Sequence, residues 1–339
     1  MKNSPPGLPL LILIISTSSM FGLGSVVRKT YTHMPFHYTW EEARQSCKSF
    51  NSDLGIVQTT DDKKMINLEN YYAWIGLTKD SDTEIWMWRS TSIPIYTWAK
   101  GEPQPTDSCA SIFYSTKELY GFPCEVYFFF VCRKYIQFVF VDESKTLKGA
   151  EEYCQKHDMT LATLLSSDDL KKFVNYEFSF WIQTVNGSEP NQSDKCTTMT
   201  TKAKTVAART CSDHFPSVCM TDNVILIMEK KTWEEAMTHC RELVLSPEDQ
   251  SRYELVSVEA GIDDAFLRAR ASQADTEQVW VGLRFLGRTW FWINRISMSY
   301  PDLPQCPPPG KNCGVISKTS AHLEMADCGE KKNFLCYKL

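Results

Sequence analysis

Residues 313–336 read CGVISKTSAHLEMADCGEKKNFLC, and the spacing of the three cysteines in this stretch decides the fold. The second cysteine stands 15 positions after the first, and the third stands 8 positions after the second. The same two steps recur in residues 109–132 and 196–219. Repetition at a fixed spacing indicates one structural module that is built three times along the chain.

A fourth cysteine stands upstream of each run, at the end of a segment with a helix-start signal. In residues 39–47 and 232–240 a threonine is followed three residues later by glutamate, the capping box that closes the first turn of a helix. Residues 146–154 keep the threonine and the cysteine at the same distance but lack the glutamate. The sequence therefore predicts a capped helix that carries the first cysteine of each module.

Length, composition and charge limit the number of domains and the kinds of partner that the protein can have. A chain of 339 residues is long enough for two or three domains, and 43% hydrophobic residues with 12% aromatics can fill a core in each. The net charge is −5 and the pI is about 5.8. This charge argues against nucleic acid or an anionic membrane as the main partner.

Residue sets that would support catalysis are absent from the sequence. The aspartate pairs at 61–62, 168–169 and 263–264 stand at predicted helix starts, where carboxylates cap backbone amides. His33 and His37 lie four residues apart on a predicted strand, and we interpret them as an exposed strand face rather than a metal-binding pair. We find no phosphate-binding glycine loop and no nucleophile elbow, so we expect a protein that is not an enzyme.

The first residues carry the pattern of a secretory signal peptide, which we assign to residues 1–24. Lys2 supplies a basic start, residues 10–15 an apolar core, and residues 22–24 a small-x-small cleavage site. A signal anchor is the alternative, but the polar residues 16–19 leave the apolar stretch too short to span a bilayer well.

Secretion also accounts for the cysteines and for two glycosylation sequons. Disulfides persist in oxidising compartments, which are the compartments that secreted proteins pass through. Asn186 and Asn191 each begin an Asn-x-Ser sequon. We therefore expect a secreted glycoprotein with no membrane span.

The residues around the cysteines carry a resemblance to a known family. A Trp-Ile-Gly-Leu strand at 74–77 has a close copy, Trp-Val-Gly-Leu, at 280–283. Paired tryptophans follow at 86–88 and 290–292. A proline stands six residues before the second cysteine of every copy: Pro103, Pro190 and Pro307. With the four-cysteine pattern, these motifs make the chain resemble three C-type lectin-like domains in tandem.

The resemblance implies an α+β fold, with two helices, small antiparallel sheets and two disulfides in each domain. It places the domains at residues 25–134, 135–221 and 222–339. Sequence alone leaves many disulfide connectivities open, and the family narrows them to one. The implied pairs are Cys47–Cys132 with Cys109–Cys124, Cys154–Cys219 with Cys196–Cys211, and Cys240–Cys336 with Cys313–Cys328. Cys306 is left unpaired.

In sugar-binding members of the family, a Glu-Pro-Asn or Gln-Pro-Asp triplet in the long loop and a Trp-Asn-Asp triplet before the third cysteine hold calcium. Calcium takes six to eight oxygen ligands, so half of the set leaves it under-coordinated. The first copy has Glu102, Gln104 and Asp107, but residues 119–121 read Leu-Tyr-Gly where the second triplet should stand. These three residues, together with Glu189 and Asn191 of the second copy, are the candidate ligand-binding residues. The same three are the weak candidates for calcium, which is possible there but not expected.

The other two copies match the calcium motif less well. The second offers Glu189 and Asn191, but its partner triplet at 206–208 is Val-Ala-Ala and its long loop is about twenty residues shorter. Asn191 also heads a sequon, and a glycan there would obstruct it as a ligand. The third copy has Cys-Pro-Pro at 306–308.

The family implies carbohydrate binding, and the degenerate triplets argue against calcium-dependent sugar binding in all three copies. The alternative is a protein ligand, bound without calcium by a soluble receptor, decoy or inhibitor. Cys306 could be a free thiol, an interchain bridge or a partner in a rearranged pair with Cys313. Its proline-rich, polar surroundings favour the interchain bridge.

Overall fold

The computed structural model describes residues 26–57, 59–66, 68, 71–88, 98–135, 137–163, 169, 176–181, 183, 195–245, 247–248, 250–258, 264–295, 303–319 and 323–339. The predicted signal peptide at 1–24 lies outside the described residues. Asn186, Glu189 and Asn191 also lie outside them.

Helices form where the capping signals predict them. Among the described residues the helices are α1 (Trp40–Ser49), α2 (Thr60–Met65), α3 (Leu147–Lys156), α4 (Trp233–Glu242) and α5 (Asp264–Ala271). Thr39 and Thr232 cap α1 and α4 in complete capping boxes. Thr146 caps α3 through the amide of Gly149, without a carboxylate in return. The three predicted helices that carry the first cysteines are confirmed.

The strands form three separate sheets. In chain order they are β1 (Lys29–Tyr38), β2 (Asp53–Leu54), β3 (Tyr72–Lys79), β4 (Trp86–Trp88), β5 (Cys109–Phe113), β6 (Leu119–Phe122), β7 (Phe128–Lys134), β8 (Gln137–Lys145), β9 (Thr160–Leu161), β10 (Ser179–Trp181), β11 (Lys195–Thr200), β12 (Val206–Thr210), β13 (Phe215–Asp222), β14 (Val224–Lys231), β15 (Tyr253–Leu255), β16 (Gln278–Leu286), β17 (Thr289–Trp292), β18 (Cys313–Ser317), β19 (Leu323–Ala326) and β20 (Lys332–Lys338).

Each sheet has the same plan of strands. The orders are β6-β5-β3-β7-β8, β1-β13-β10-β11-β12 and β14-β20-β16-β18-β19. Short strands β4 and β9 join the first sheet, β2 the second, and β15 and β17 the third. With the flanking helices, these sheets give the α+β class that the sequence predicts.

The first two sheets do not follow the predicted boundary between the first two copies. Strand β1 pairs with β13, with Thr32 opposite Cys219, although these strands come from different copies. Strand β8 pairs with β7, with Val139 opposite Cys132. The first two copies have therefore exchanged their N-terminal strand, helix and short second strand.

The third unit provides an internal standard for this exchange, because it is built from one copy. There the first residue of α4, Trp233, donates its backbone amide to the carbonyl of Cys328 at 3.0 Å. In the exchanged units the equivalent bonds run from Leu147 to Cys124 and from Trp40 to Cys211, both at 3.1 Å. Each helix thus occupies its normal position, but in the sheet of the other copy.

The exchange nests one unit inside another. We call residues 71–163 the inner unit; residues 26–66 together with 176–222 the outer unit; and residues 224–339 the third unit. In the inner unit Trp74 is fully buried and donates its Nε1–H to the carbonyl of Lys145 at 3.0 Å. In the third unit Trp280 donates in the same way to Lys231 at 2.9 Å. The inner unit is therefore a contiguous segment with its own sheet and, among the described residues, one helix, α3, whereas two helices were predicted for each domain.

The disulfides follow the exchange and correct part of the predicted pairing. Cys47 is bonded to Cys219, and Cys132 is bonded to Cys154. The expected bridges Cys47–Cys132 and Cys154–Cys219 were wrong. The remaining four cysteine pairs are those the family implied: Cys109–Cys124, Cys196–Cys211, Cys240–Cys336 and Cys313–Cys328.

The connection between β7 and β8 gives a physical reason for the exchange. Only residues 135 and 136 join these strands, and Tyr135 has a positive φ of 56°. A two-residue connection with positive φ favours a tight hairpin between antiparallel neighbours. The hairpin places β8 on the edge of β7, which is the position that β1 would need for a tandem arrangement.

Candidate functional site

Glu102, Gln104 and Asp107 lie in a loop that the structure ties to the edge strand β6. The amide of Ala99 donates to the carbonyl of Leu119 at 2.9 Å, and the amide of Glu102 donates to the carbonyl of Ala99 at 3.0 Å. The peptide bond between Glu102 and Pro103 is cis. The structure therefore brings the three predicted residues together beside residues 119–121.

The carboxylate of Glu102 is engaged by the backbone of that strand. Its Oε2 accepts the amide hydrogen of Gly121, with 3.0 Å between the two atoms. Partial burial raises the pKa of Glu102, the hydrogen bond from Gly121 opposes this shift, and the nearby charge of Asp107 adds to it. The Glu102 carboxylate therefore has a fixed backbone partner on strand β6.

Asp107 fills the space that a side chain at position 121 would occupy. It is buried, and its Oδ2 accepts the amide hydrogen of Gln104 at 2.7 Å. A Cβ atom added to Gly121 would overlap the Asp107 carboxylate, with only 2.8 Å to its Cγ. Glycine is therefore required at position 121, because any side chain there would prevent the loop from approaching β6.

Gln104 turns its amide group back to its own loop. Its Nε2 donates to the carbonyl of Gly101 at 2.7 Å, and the residue is exposed. The three candidate residues thus hold one another and β6 through hydrogen bonds that need no ion. These bonds hold the loop as a fixed polar surface.

Gly121→Ala is expected to destabilise the protein by about 1–3 kcal/mol, because the added methyl group overlaps a buried carboxylate. Gly149→Ala is the matched control: its Cβ would meet only side-chain atoms at 3.3 Å or more, within helix α3. Alanine there is expected to be neutral or stabilising. Urea unfolding of the two variants measures the difference, and equal stability would contradict the close packing of Asp107 against Gly121.

Two apolar side chains are exposed at strand β4. Ile85 is 59% exposed just before the strand, and Met87 is 44% exposed within it. Between them Trp86 packs edge-on against Trp98, with 4.8 Å between ring centroids. Trp98 precedes Glu102 in the same loop, so this ring pair joins the loop to strand β4.

The equivalent positions in the other units differ. In the third unit Cys306 stands where Glu102 stands in the inner unit, and it is exposed and unpaired. Glu324 accepts a hydrogen bond from Gln278 Nε2 at 2.7 Å. In the outer unit Glu189 and Asn191 lie outside the described residues. The interchain bridge through Cys306 stays a prediction.

His33 and His37 are not the exposed strand face that the sequence indicated. The side chain of His37 is buried; its Nδ1 lies 2.5 Å from the hydroxyl oxygen of Ser144, and its ring packs edge-on against Phe129 at 4.3 Å. Burial lowers the pKa of His33 to about 4 and lowers the pKa of His37 strongly. Ser144 belongs to the exchanged strand β8, so no sequence signal on β1 could reveal this environment.

Two negative findings apply to the part of the chain that the structure describes. It contains no group of three or more histidine, cysteine, aspartate or glutamate side chains placed to hold a metal ion. It also contains no helix that is long and apolar enough to cross a membrane.

The fold and the disulfide plan define a disulfide-stapled α+β module. The family model of the lectin C-type domain matches residues 37–134 and 229–338. These two regions make up more than half of the chain, and the chain belongs to the C-type lectin domain family. Members of this family are generally non-enzymatic recognition proteins that bind carbohydrate or protein ligands.

Relatives among characterised proteins include natural killer cells antigen CD94 from three mammals. The bovine protein is 33% identical over 54 residues, which are 16% of this chain and 28% of the relative. The dog protein is 26% identical over 97 residues, 28% of this chain and 54% of the relative. The human protein is 31% identical over 72 residues, 21% of this chain and 40% of the relative. The chain thus spans about half or less of these relatives.

Similar solved structures include the C-type lectin CEL-I from Cucumaria echinata and human lithostathine. The first is 17% identical with a TM-score of 0.30, over 34% of this chain and 89% of the other. The second is 23% identical with a TM-score of 0.29, over 36% of this chain and 83% of the other.

Proposed function

We propose that the protein is a secreted recognition protein that binds its ligand without calcium, and that this ligand is a protein rather than a sugar. The observation that carries the proposal is the pairing of both candidate carboxylates with backbone amides. Glu102 accepts from Gly121 and Asp107 accepts from Gln104, at 3.0 and 2.7 Å. Calcium would compete with these bonds for the two carboxylates and would still lack the oxygens of the second triplet.

The choice of a protein ligand rests on the face beside that loop. Ile85 and Met87 are exposed at strand β4, and Trp86 of the same strand packs against Trp98, which precedes the polar loop. Interfaces between proteins are built in this way, with aromatic and methionine side chains at the centre and polar groups at the rim. The carbohydrate binding that the family implies is the second candidate, and it would use the exposed Gln104.

Calcium titration of the whole protein tests the first part of the proposal. We expect no heat of binding by calorimetry and no change in melting temperature between calcium and a chelator, because a ligand of the folded state would raise it. Strong chelator-sensitive binding on a glycan array would overturn the proposal. A protein partner that is captured equally well with chelator supports it.

Two substitutions then locate the binding face. Met87→Glu places a charge in the apolar face, and loss of about tenfold or more in affinity for that partner is expected if the face is central. Phe50→Glu is the control, since Phe50 is 62% exposed and lies at the end of helix α1, in the outer unit. Equal affinities for the two variants would place the binding surface elsewhere.

A further inference from the structure

A cavity of about 340 Å³ lies where the inner unit meets the outer unit. This volume is at the small end of the range for ligand pockets. The cavity is lined by residues 139–143 of β8, by Tyr153 and Met159 of the inner unit, and by Arg209 of β12 in the outer unit. Its walls therefore combine apolar and charged side chains from two units.

The exchange makes this junction nearly symmetric, because β1 and β8 have the same place in the two units. His37 of β1 and Ser144 of β8 each stand two positions before a capping threonine. These equivalent residues meet across the junction, with 2.5 Å between His37 Nδ1 and Ser144 Oγ. Contact between equivalent residues indicates an approximate twofold axis. Each position at the junction therefore has a counterpart on the other side.

The counterparts of two residues that line the cavity are phenylalanines. Glu143 and Phe36 each stand three positions before a capping threonine. Arg209 and Phe122 each stand two positions before the second cysteine of their run. The cavity therefore has charged side chains where the other half of the junction has aromatic rings.

Aromatic rings fill the place that corresponds to the cavity in that other half. Phe36 of β1 packs against Tyr72 and Phe122 of the inner unit, with 6.4 Å between ring centroids in both pairs. Tyr72 corresponds to Ser179, since each stands two positions before the tryptophan of its strand. A carboxylate, a hydroxyl and a guanidinium thus replace three rings. The cavity is the space that the ring of Phe36 occupies in the counterpart.

The guanidinium of Arg209 has unused hydrogen-bond donors at the cavity. Its Nη2 donates to Asp142 Oδ2 and Ser179 Oγ, each at 3.2 Å. Among the described residues, neither its Nη1 nor its buried Nε has a hydrogen-bond partner. Its Cζ lies 5.5 Å from the ring centroid of Phe215, which helps to hold the group in place. A fixed guanidinium with free donors favours a carboxylate ligand.

The two carboxylates that line the cavity already have partners. Asp142 accepts from the backbone amide of Ser179 at 2.9 Å and from its hydroxyl at 3.0 Å. Glu143 Oε2 lies 3.1 Å from Lys145 Nζ. A ligand carboxylate therefore meets a cation with donors to spare and two acidic groups that are already paired.

We propose that this cavity binds an aromatic carboxylic acid. The aromatic ring occupies the space that Phe36 fills in the counterpart, and the carboxylate accepts hydrogen bonds from Arg209 Nη1. A free aromatic acid and a peptide that ends in phenylalanine present the same chemistry. This site is separate from the loop at Glu102 and does not depend on the ligand proposed there.

Three small probes of similar shape test the chemistry by calorimetry on the full-length oxidised protein. We expect phenylacetate to bind about tenfold or more tightly than the neutral phenylacetamide, and phenethylamine to bind more weakly than either. Equal affinity for the three probes, or preference for the amine, would overturn the proposal. The peptide Gly-Gly-Phe separates the two sources. Tighter binding than phenylacetate assigns the site to a peptide terminus, and equal or weaker binding assigns it to a free acid.

Glu143→Phe restores the ring that the counterpart position carries. We expect it to fill the cavity and to weaken phenylacetate binding about tenfold or more, without lowering the melting temperature. Glu229→Phe is the matched control, because Glu229 stands at the same position of β14, three before Thr232. Its side chain is 60% exposed and lies 2.8 Å from Lys231 Nζ. Equal phenylacetate affinity in the two variants would place the binding site elsewhere.

Arg209→Gln separates the contribution of the carboxylate from that of the ring. We expect it to weaken phenylacetate binding about tenfold and to leave phenylacetamide binding unchanged, with Arg209→Lys in between. Melting curves show that each variant is folded, which matters because Arg209 also bonds to Asp142 and Ser179. An Arg209→Gln protein that still prefers phenylacetate to phenylacetamide by the wild-type factor would overturn the proposal.

Discussion

Serine in place of both Cys47 and Cys219 is expected to leave every remaining cysteine except Cys306 paired. Serine in place of both Cys47 and Cys132 is expected to free Cys219 and Cys154 as new thiols. The reason is the observed connectivity, in which Cys47 and Cys132 belong to different bridges. A tandem arrangement of the first two domains predicts the reverse, because there Cys47 and Cys132 would be bonded to each other.

Maleimide labelling of the denatured, unreduced variants distinguishes these results without ambiguity. Peptide mapping of the wild-type protein should also yield one peptide pair that joins Cys47 to Cys219. A Cys47→Ser/Cys132→Ser protein that is labelled only at Cys306 would contradict the exchange.

Removal of the two bridges should also lower the free energy of unfolding by different amounts. Cys47–Cys219 spans 172 residues and encloses the whole inner unit, whereas Cys132–Cys154 spans 22. Chain entropy alone makes the first worth about 5 kcal/mol and the second about 3 kcal/mol. Urea unfolding should therefore show a larger loss in Cys47→Ser/Cys219→Ser than in Cys132→Ser/Cys154→Ser.

The sequence predicts the modules of this fold but not how the first two combine. The capping threonines at 39 and 146 and the buried Trp74 strand depend on local patterns, which survive any pairing of the sheets. Strands β1 and β8 play equivalent roles, so either could complete either sheet. Only tertiary contacts distinguish the two strands, such as the contact between His37 of β1 and Ser144 of β8.

Connection length alone could not have decided the pairing either. A two-residue connection joins β7 to β8 as a hairpin, but the single residue Asn223 joins β13 to β14 without pairing them. Asn223 instead donates its side-chain amide to the carbonyls of Val26 and Lys338, each at 2.9 Å. These side-chain bonds hold Asn223 in place, and β14 pairs in the sheet of the third unit instead of forming a hairpin with β13.

The candidate site could also be predicted only in part from the sequence. The proximity of Glu102 to Asp107 follows from a short loop, and the sequence predicts it. The sequence presents Gly121 only as a position that lacks a calcium ligand. The structure gives it two further roles, as a donor to Glu102 and as the space for Asp107, and both depend on the close approach of a loop to a strand edge.

Acid is expected to weaken the contact between the inner and outer units through His33 and His37. Both rings lie on β1, and burial lowers the pKa of His33 to about 4, below the ordinary value of 6.5. Burial also lowers the pKa of His37, and the neighbouring imidazoles of His33 and His214 add to that shift. The folded protein therefore holds these rings neutral.

The groups in contact with His37 offer no negative charge to balance the positive charge of a protonated ring. The Ser144 hydroxyl and the rings of Phe128 and Phe129 contact it, and none of these carries a negative charge. His214 stacks on Tyr127 at 3.7 Å, and burial lowers its pKa although Glu42 and Asp213 oppose the shift. Protonation of His37 would thus place charge in a largely apolar junction.

The sign of the pH dependence follows from these shifts. Because the folded pKa lies below the unfolded one, the unfolded chain binds more protons at acidic pH, and stability falls as the pH falls. The contribution of His33 is complete above its unfolded pKa and is lost progressively towards about pH 4. Between about pH 7 and about pH 5, His33 alone should remove about 2 kcal/mol of unfolding free energy.

Urea unfolding at these two pH values measures the effect. The double variant His33→Leu/His37→Leu cannot take up these protons, so its stability should change much less than that of the wild-type protein. His157→Gln is the control, because His157 is exposed on the end of α3, where its Nδ1 lies 2.8 Å from the carbonyl of Tyr153. A double variant with the pH dependence of the wild-type protein would show that other groups govern acid unfolding, and that the junction tolerates charge on both rings.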